Sequence, residues 1–295
     1  MLGLITVILV ALPYWQNPNV NAVNREPARS DYAISDTVNL NGTWEFRFEE
    51  EPWSTITVPG CWELNGYGVP FYSRKNYVWQ GWFKNNPPFV PDSLNYRGHY
   101  RRTFEVPKAW KKQTIYLYIG AVSSNAYVYI NGREVGYTED SKLAAHFNIT
   151  RYLRKGTNTI EIKCQRWCDG SYLEDQDFWR LTGISRDVYL YARPKSHITD
   201  FFVHTDWDVD KQRAIFSVDG ITGENLIDCK IDIALYDTTL NTRFSTLDSI
   251  KPWTAETPNL YTIVLTLRKH GEGIETLCQR IGFRHVEIRG NQLLV

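Results

Sequence analysis

Apolar and polar residues alternate along most of this chain. The stretch TWEFRFE places Trp44, Phe46 and Phe48 on one face and charged residues on the other, which indicates a half-buried strand. The segments TIYLYIG, NTIEIKC and RDVYLYA continue the period of two. The segment YVYINGREVGY reads as a hairpin, because Asn131-Gly132 accepts positive φ at both turn positions. With no long helical period, the pattern predicts an antiparallel jelly-roll β-sandwich over about residues 38–194.

A second set of strands follows a boundary near Pro194. It comprises RAIFSVDG, CKIDIALYD, YTIVLTLRK and TLCQRIGFRHVEIR. These strands span residues 195–286, roughly 90 residues, which is the size of an immunoglobulin-like β-sandwich. Residues 287–295 end in an apolar run, NQLLV, without a turn signal. We expect that run to lead into a further domain.

The N-terminal residues 1–37 do not follow the strand pattern. The start, MLGLITVILVALPYW, resembles the apolar region of a secretory signal, although no basic residue precedes it and no small-x-small cleavage site follows. We expect export to the periplasm, with a cytoplasmic location as the alternative. The apolar run is too short for a transmembrane anchor. The polar residues after it are expected to form an arm over the surface.

The long insertion from Gly66 to Gly98 contains KNNPPFVPD, whose prolines remove ladder donors and hold the backbone extended. A regular element is therefore excluded there. Long ordered loops on a sandwich are more often functional than short ones.

Composition narrows the class of function. Thirty-three basic residues balance thirty-three acidic ones, so nothing favours nucleic acid or an anionic membrane as a partner. The five cysteines lack zinc or redox spacing and are interpreted as free thiols. The 11 Trp and 18 Tyr residues suit both sheet packing and stacking on sugar rings.

The segment DGSYLEDQDFWRLTGISRD, residues 169–187, concentrates acids and aromatics. Glycoside hydrolysis needs two carboxyl groups about 5–5.5 Å apart for retention, and one helical turn would bring Glu174 and Asp177 into that range. The segment connects two strands, however, so helical geometry is not assured. Arg180 and Arg186 favour the alternative that these acids are paired structurally. Contact with a ligand, without catalysis, is the third interpretation.

Several long segments together resemble one family. These are LNGTWEFRF, VPGCWELNGYGVPFY, NNPPFVP, VYINGREVGYTEDSKLAAHFNIT and RWCDGSYLEDQDFWRLTGISRDVYL, with YWQNPNVNAVNREPAR before them and WTAETPNLYTIVLTL and IGFRHVEIRGNQLLV after them. They are similar to the N-terminal part of family 2 glycoside hydrolases, and more narrowly to the large bacterial β-galactosidases. The resemblance covers nearly the whole chain.

The resemblance implies that a sugar-binding jelly roll and an immunoglobulin-like domain precede a catalytic TIM barrel. In the family that barrel supplies both catalytic glutamates and the magnesium ligands, so no catalytic residue is assigned to this chain. The family's DQD-x-W aspartate lies near the galactose 6-hydroxyl and a sodium ion, and it corresponds to Asp177. The family's substrate-contacting asparagine corresponds to Arg74, with Asn76 two residues on. Arg74 and Asn76 are both candidates for that role.

The sequence leaves two alternative functions for this chain. In the first, the chain is the non-catalytic N-terminal portion of a retaining β-galactosidase that hydrolyses terminal β-D-galactosides. Its partners would be the galactoside, the missing catalytic barrel and neighbouring subunits. Five aromatic residues are expected to be exposed where that barrel would pack: Trp79, Trp82, Phe83, Phe178 and Trp179. In the second, the chain is a stand-alone carbohydrate-binding or adhesion module.

Overall fold

The computed structural model of the protein describes residues 12–30, 32, 34, 36–73, 77–237 and 243–295. The apolar start, residues 1–11, lies outside this set, as do Arg74 and Asn76. No helix formed by the described residues has the length and apolar character needed to cross a bilayer.

The chain divides into two compact units. The first comprises residues 1–26, 38–111 and 115–191, and the second comprises residues 27–37, 112–114 and 192–295. From the N-terminus to Arg193 the strands are β1 (Ala22–Val23), β2 (Thr37–Asn39), β3 (Gly42–Phe48), β4 (Ser54–Val58), β5 (Phe71–Ser73), β6 (Arg97–Glu105), β7 (Thr114–Ile119), β8 (Val122–Ser123), β9 (Ala126–Ile130), β10 (Arg133–Thr138), β11 (Ala145–Asn148), β12 (Thr157–Gln165), β13 (Phe178–Arg180), β14 (Gly183–Ile184) and β15 (Val188–Arg193). The helical turns are 3₁₀ segments at Tyr14–Gln16, Glu63–Asn65, Lys108–Trp110 and Thr150–Tyr152, and one α-helical turn, α1 (Ser171–Glu174).

The first unit is a β-sandwich. Seven antiparallel strands form one sheet in the order β1-β10-β9-β12-β6-β3-β4, and a second sheet has the order β11-β7-β15-β2. The predicted alternation is confirmed, because Trp44, Phe46 and Phe48 of β3 are buried while the residues between them are not. The hairpin of β9 and β10 turns at Asn131-Gly132, where both residues have positive φ.

A glycine allows the centre of this unit to pack tightly. Trp62 is almost fully buried and donates its indole N–H to the Tyr100 hydroxyl at 2.6 Å. A Cβ on Gly98 would lie 2.2 Å from the Trp62 ring, so β6 can approach the indole only with glycine at that position.

The second unit is the immunoglobulin-like part. Its strands are β16 (His197–Asp208), β17 (Arg213–Glu224), β18 (Cys229–Asp237), β19 (Tyr261–Lys269), β20 (Glu272–Ile281), β21 (Glu287–Arg289) and β22 (Gln292–Leu294). They form a β16-β17 ribbon, a β18-β19-β20 sheet and a β21-β22 hairpin. The core contains Ile263, Leu265 and Phe283, and Tyr32 packs in it although the sequence placed that residue in the arm. The two units confirm the predicted all-β fold class.

Candidate sugar-contacting site

The acidic segment folds as a short turn followed by a strand. Helix α1 ends at Glu174, and Asp175 is already extended, with φ −77° and ψ 96°. Strand β13 then pairs antiparallel with β5, so that Trp179 lies opposite Tyr72 and Phe178 opposite Ser73. Strand β5 lies within the insertion from Gly66 to Gly98, so the expectation that this insertion holds no regular element is wrong for Phe71–Ser73. Glu174 and Asp177 therefore do not share a helical turn, which removes the geometric basis for treating them as a catalytic pair.

Two acids of this segment have structural partners. Asp175 forms an ion pair with Arg180, and the two side chains are 9% and 10% exposed. Glu174 accepts hydrogen bonds from the Ser141 backbone N–H at 2.9 Å and from the Ser141 hydroxyl at 2.5 Å. Arg186 donates to the Lys142 carbonyl at 3.0 Å instead of binding an acid. Structural pairing is thus confirmed for Asp175 with Arg180, and Glu174 is held by a serine.

Asp177 differs from its neighbours because it is exposed beside exposed aromatic rings. Its Oδ1 accepts the Tyr72 hydroxyl at 2.5 Å across the β5–β13 ribbon, and this hydrogen bond raises the pKa of Tyr72. The Trp179 ring lies 5.6 Å from the Tyr72 ring, and the two residues are 58% and 48% exposed. A fixed carboxylate beside flat apolar rings can accept a sugar hydroxyl while the rings cover a carbon face of the sugar.

The exposure predicted for five aromatic side chains is confirmed only for some of them. Trp82, Phe178 and Trp179 are exposed, as the sequence analysis expected. Trp79 was expected on the surface, but it is fully buried in a small cluster with Val90 and Trp167. Phe83 is partly buried against that cluster. Trp79 is buried because Val90 of the insertion and residues outside it, Trp15, Trp167 and Tyr172, pack around its ring.

A cavity of about 290 Å³ adjoins the acidic segment. Phe178 and Glu174 line it together with groups that the sequence analysis did not single out, including Ser124 of the β8–β9 connection and Arg166 and Trp167, which follow β12. Arg166 lies over the Trp167 ring at 5.5 Å. Only the tertiary fold unites these residues, because Ser124 and Phe178 are 54 positions apart in the chain.

The described residues fit a cation at Asp177 only in part. One carboxylate oxygen already accepts the Tyr72 phenol, which leaves Oδ2 as the hard-oxygen donor for sodium. The other ligands would have to be backbone, water or partner oxygens. Arg74 and Asn76, the two other substrate-binding candidates, lie outside the described residues.

A second group of potential ligands lies deeper in the same unit. Glu139, Cys168 and Asp169 bring one ligand atom each to within 4.8 Å of one another, the one such trio among the described residues. Burial raises the pKa of the Cys168 thiol well above its ordinary value, which favours the protonated thiol, a poor metal ligand. The Tyr137 hydroxyl donates to Glu139 at 2.5 Å. The donor set therefore fits a proton shared between two carboxyl groups better than a metal ion.

This carboxyl pair makes stability depend on pH. Burial raises the pKa of Glu139 from 4.5 to about 8, and burial also raises the pKa of Asp169. Between pH 4.5 and about pH 8 the Glu139 carboxyl keeps a proton in the folded protein that it releases in the unfolded chain. Stability therefore falls as pH rises through the window, by at most about 1.4 kcal/mol per unit for one proton.

Glu139→Gln should flatten that dependence and make the protein more stable than wild type at pH 8. The amide can still accept from Tyr137 and can donate to Asp169 without a titrating proton. Urea unfolding of the first unit at several values of pH between 5 and 9 measures the effect. Glu51→Gln, an exposed change in the same unit, is the control and should keep the wild-type slope. An unchanged slope in Glu139→Gln would show that this carboxyl does not hold the proton.

Comparisons with known proteins agree with this architecture. The model of the family 2 glycosyl hydrolase sugar-binding domain matches residues 29–194, and a second family 2 model matches residues 196–284. A β-galactosidase of Priestia megaterium is 37% identical over 96% of this chain, and one of Alteromonas mediterranea is 36% identical over 97%. The chain spans about a third of the length of each, 33% and 32%.

Solved structures of β-glucuronidases share the fold. The Dictyoglomus thermophilum enzyme is 21% identical with a TM-score of 0.65, and the match covers 88% of this chain and 46% of that one. A Ruminococcus gnavus enzyme is 18% identical with a TM-score of 0.68, covering 91% of this chain and 48% of that one. At these identities the likeness concerns the fold alone.

Proposed function

Since the chain belongs to the family 2 glycoside hydrolases, we propose that it is the non-catalytic N-terminal portion of a β-galactosidase that hydrolyses terminal β-D-galactosides. Relatives named as β-galactosidases match almost all of the chain over about a third of their own length. The acids of the 169–187 segment also support a non-catalytic role, because Asp175 and Glu174 are held by structural partners. Hydrolysis would then depend on other parts of the enzyme.

The contribution of this chain to the galactose site is Asp177. The carboxylate accepts one hydrogen bond from Tyr72 and is otherwise exposed, so it can accept from a galactose hydroxyl. When bound, a sodium ion at this carboxylate would hold the hydroxyl oxygens by electrostatic attraction. Trp179 and Tyr72 would exclude water from one side of the sugar. Arg74 and Asn76 remain candidates for further substrate contacts.

Exposed apolar residues of the first unit support a macromolecular partner. Trp179, Trp82 and Leu173 are 58%, 46% and 83% exposed. Large apolar groups that cluster on a surface mark interaction sites. The partner would be a catalytic barrel, in the same polypeptide or a neighbouring subunit, which completes a pocket that one sandwich cannot close.

A chimera tests this proposal. This chain would replace the matching third of the Priestia megaterium β-galactosidase, and hydrolysis of an aryl β-galactoside would be measured. We expect clear turnover by the chimera and none above background by this chain alone, because Glu174 and Asp177 are not arranged as an acid/base and nucleophile pair. A chimera that unfolds cooperatively and yet lacks activity would contradict the proposal. Tight galactoside binding by the isolated chain would then favour a stand-alone binding module.

A further inference from the structure

The outward face of the seven-stranded sheet carries a cavity that shares no lining residue with the one beside Glu174. It encloses about 350 Å³. That volume is at the lower end of small-molecule pockets, which run from about 300 to 1,000 Å³. Among its lining residues are three aromatic side chains, namely Trp15, Tyr127 and Tyr129.

Strand register brings the lining residues together. On β12 the buried residues Ile160, Ile162 and Cys164 point to the core, so the alternate positions face outward. Lys163 of β12 lies between Tyr127 of β9 and His99 of β6, and His99 lies opposite Arg47 of β3. One cross-strand row therefore places an aromatic ring beside three nitrogen-bearing side chains.

Lys163 is the central polar group. Its ammonium lies 4.7 Å from the centre of the Tyr129 ring, and none of the described carboxylates lies within 4.0 Å of it. Tyr14 stacks against Tyr127 at 5.8 Å and covers part of that ring, and Tyr127, Tyr129 and Trp15 all line the cavity. The Lys163 ammonium thus has N–H donors available for a ligand next to the aromatic rings.

We propose that this cavity binds a hexopyranose unit of a glycan, as a second sugar-binding site. Sugar rings present apolar carbon faces with hydroxyl groups around them, and recognition requires both flat apolar surface and paired donors and acceptors. Lys163 brings free donors to the cavity, and Glu49 and Glu50 bring acceptors. The Arg97 guanidinium is paired with Asp92 at 2.5 Å, and one Glu49 oxygen accepts the Arg97 backbone N–H, so Lys163 and the remaining carboxylate oxygens are the groups left for a ligand. These opposite charges nearly balance, which suits a neutral polyol better than a polyanion. The site goes beyond the proposed galactose contact and rests on the proposed function only for the choice of sugar as ligand.

Titration of the isolated chain with lactose, followed by the backbone amide signals in NMR spectra, tests the site. We expect shifts at Gly98, Tyr127 and Lys163, with a dissociation constant on the order of millimolar. Lys163→Met keeps the side-chain stem and removes the donors, so it should weaken binding about five- to tenfold. Lys155→Met, an exposed change elsewhere in the same unit, should leave it unchanged.

Two further variants make the outcome decisive. Trp15→Leu removes stacking surface and should also weaken binding at these amides, while Asp177→Ala should not. No shift on the sheet face at high lactose, or binding that survives Lys163→Met but disappears in Asp177→Ala, would overturn the second site. An inactive chimera would leave this result unaffected, because the titration uses the isolated chain.

Discussion

Replacing Asp177 by alanine in the active chimera should lower kcat/KM for an aryl β-galactoside about 100-fold, the usual scale for losing one positioned polar group. Asp177 is the exposed carboxylate of the β5–β13 ribbon and is fixed by Tyr72. The variant loses the hydroxyl acceptor and the proposed cation ligand together. Because the side chain is exposed, folding should be unaffected, and the unfolding midpoint of the variant checks this.

The controls separate the role of Asp177 from a general loss of charge. Asp210→Ala removes an exposed acid of the second unit and should leave kcat/KM unchanged. Tyr72→Phe keeps the Asp177 carboxylate but removes the hydrogen bond that fixes it, so we expect a loss of about tenfold. Exchange of sodium for potassium should slow the parent chimera and have little effect on Asp177→Ala. Full activity in Asp177→Ala would show that this carboxylate does not touch the substrate.

Local chemistry accounts for the parts of the fold that could be predicted. The buried row Trp44, Phe46 and Phe48 follows from period-two alternation, which any half-buried strand requires. The hairpin turn at Asn131-Gly132 follows from the rarity of residues that tolerate positive φ. Neither prediction depends on distant residues. Trp79 was misplaced because its partner Val90 lies in the same irregular insertion, where no periodic pattern marks burial, and its other partner Trp167 is 88 positions away.

The site was predictable only in part. The segment 169–187 was identified from its acids and aromatics, and the role of Asp177 came from the family resemblance. Spacing alone suggested a Glu174–Asp177 pair, because it assumed a helical turn that includes both residues. The helix ends at Glu174, so the two side chains are not brought together in this way. The contact of Glu174 with Ser141 and the closeness of the Glu139 and Asp169 carboxyl groups had no local signal, since the sequence separations are about 30 residues. Long-range pairing of polar groups is set by the packed fold.

An ion pair in the second unit should dominate the stability of that unit. Arg193 and Glu275 are 4% and 7% exposed, and a guanidinium nitrogen lies 2.7 Å from a carboxylate oxygen. Arg193 also donates to the Tyr32 hydroxyl at 2.5 Å and to the Ile198 carbonyl at 2.6 Å. The other Glu275 oxygen accepts the Ile198 backbone N–H at 2.8 Å. This network joins three separate parts of the sequence, around residues 32, 193–198 and 275.

Glu275→Ala should therefore destabilise the second unit by about 3–5 kcal/mol, because it leaves a buried guanidinium without a counter-charge. Urea unfolding followed by a probe in this unit measures the loss. Asp232→Ala breaks a surface pair with Arg268, 2.6 Å apart, and should cost no more than about 1 kcal/mol. The double change Arg193→Met with Glu275→Leu should recover much of the loss, since it removes both buried charges. Equal losses in Glu275→Ala and Asp232→Ala would mean that the buried pair is effectively solvated, and that other contacts hold this unit together.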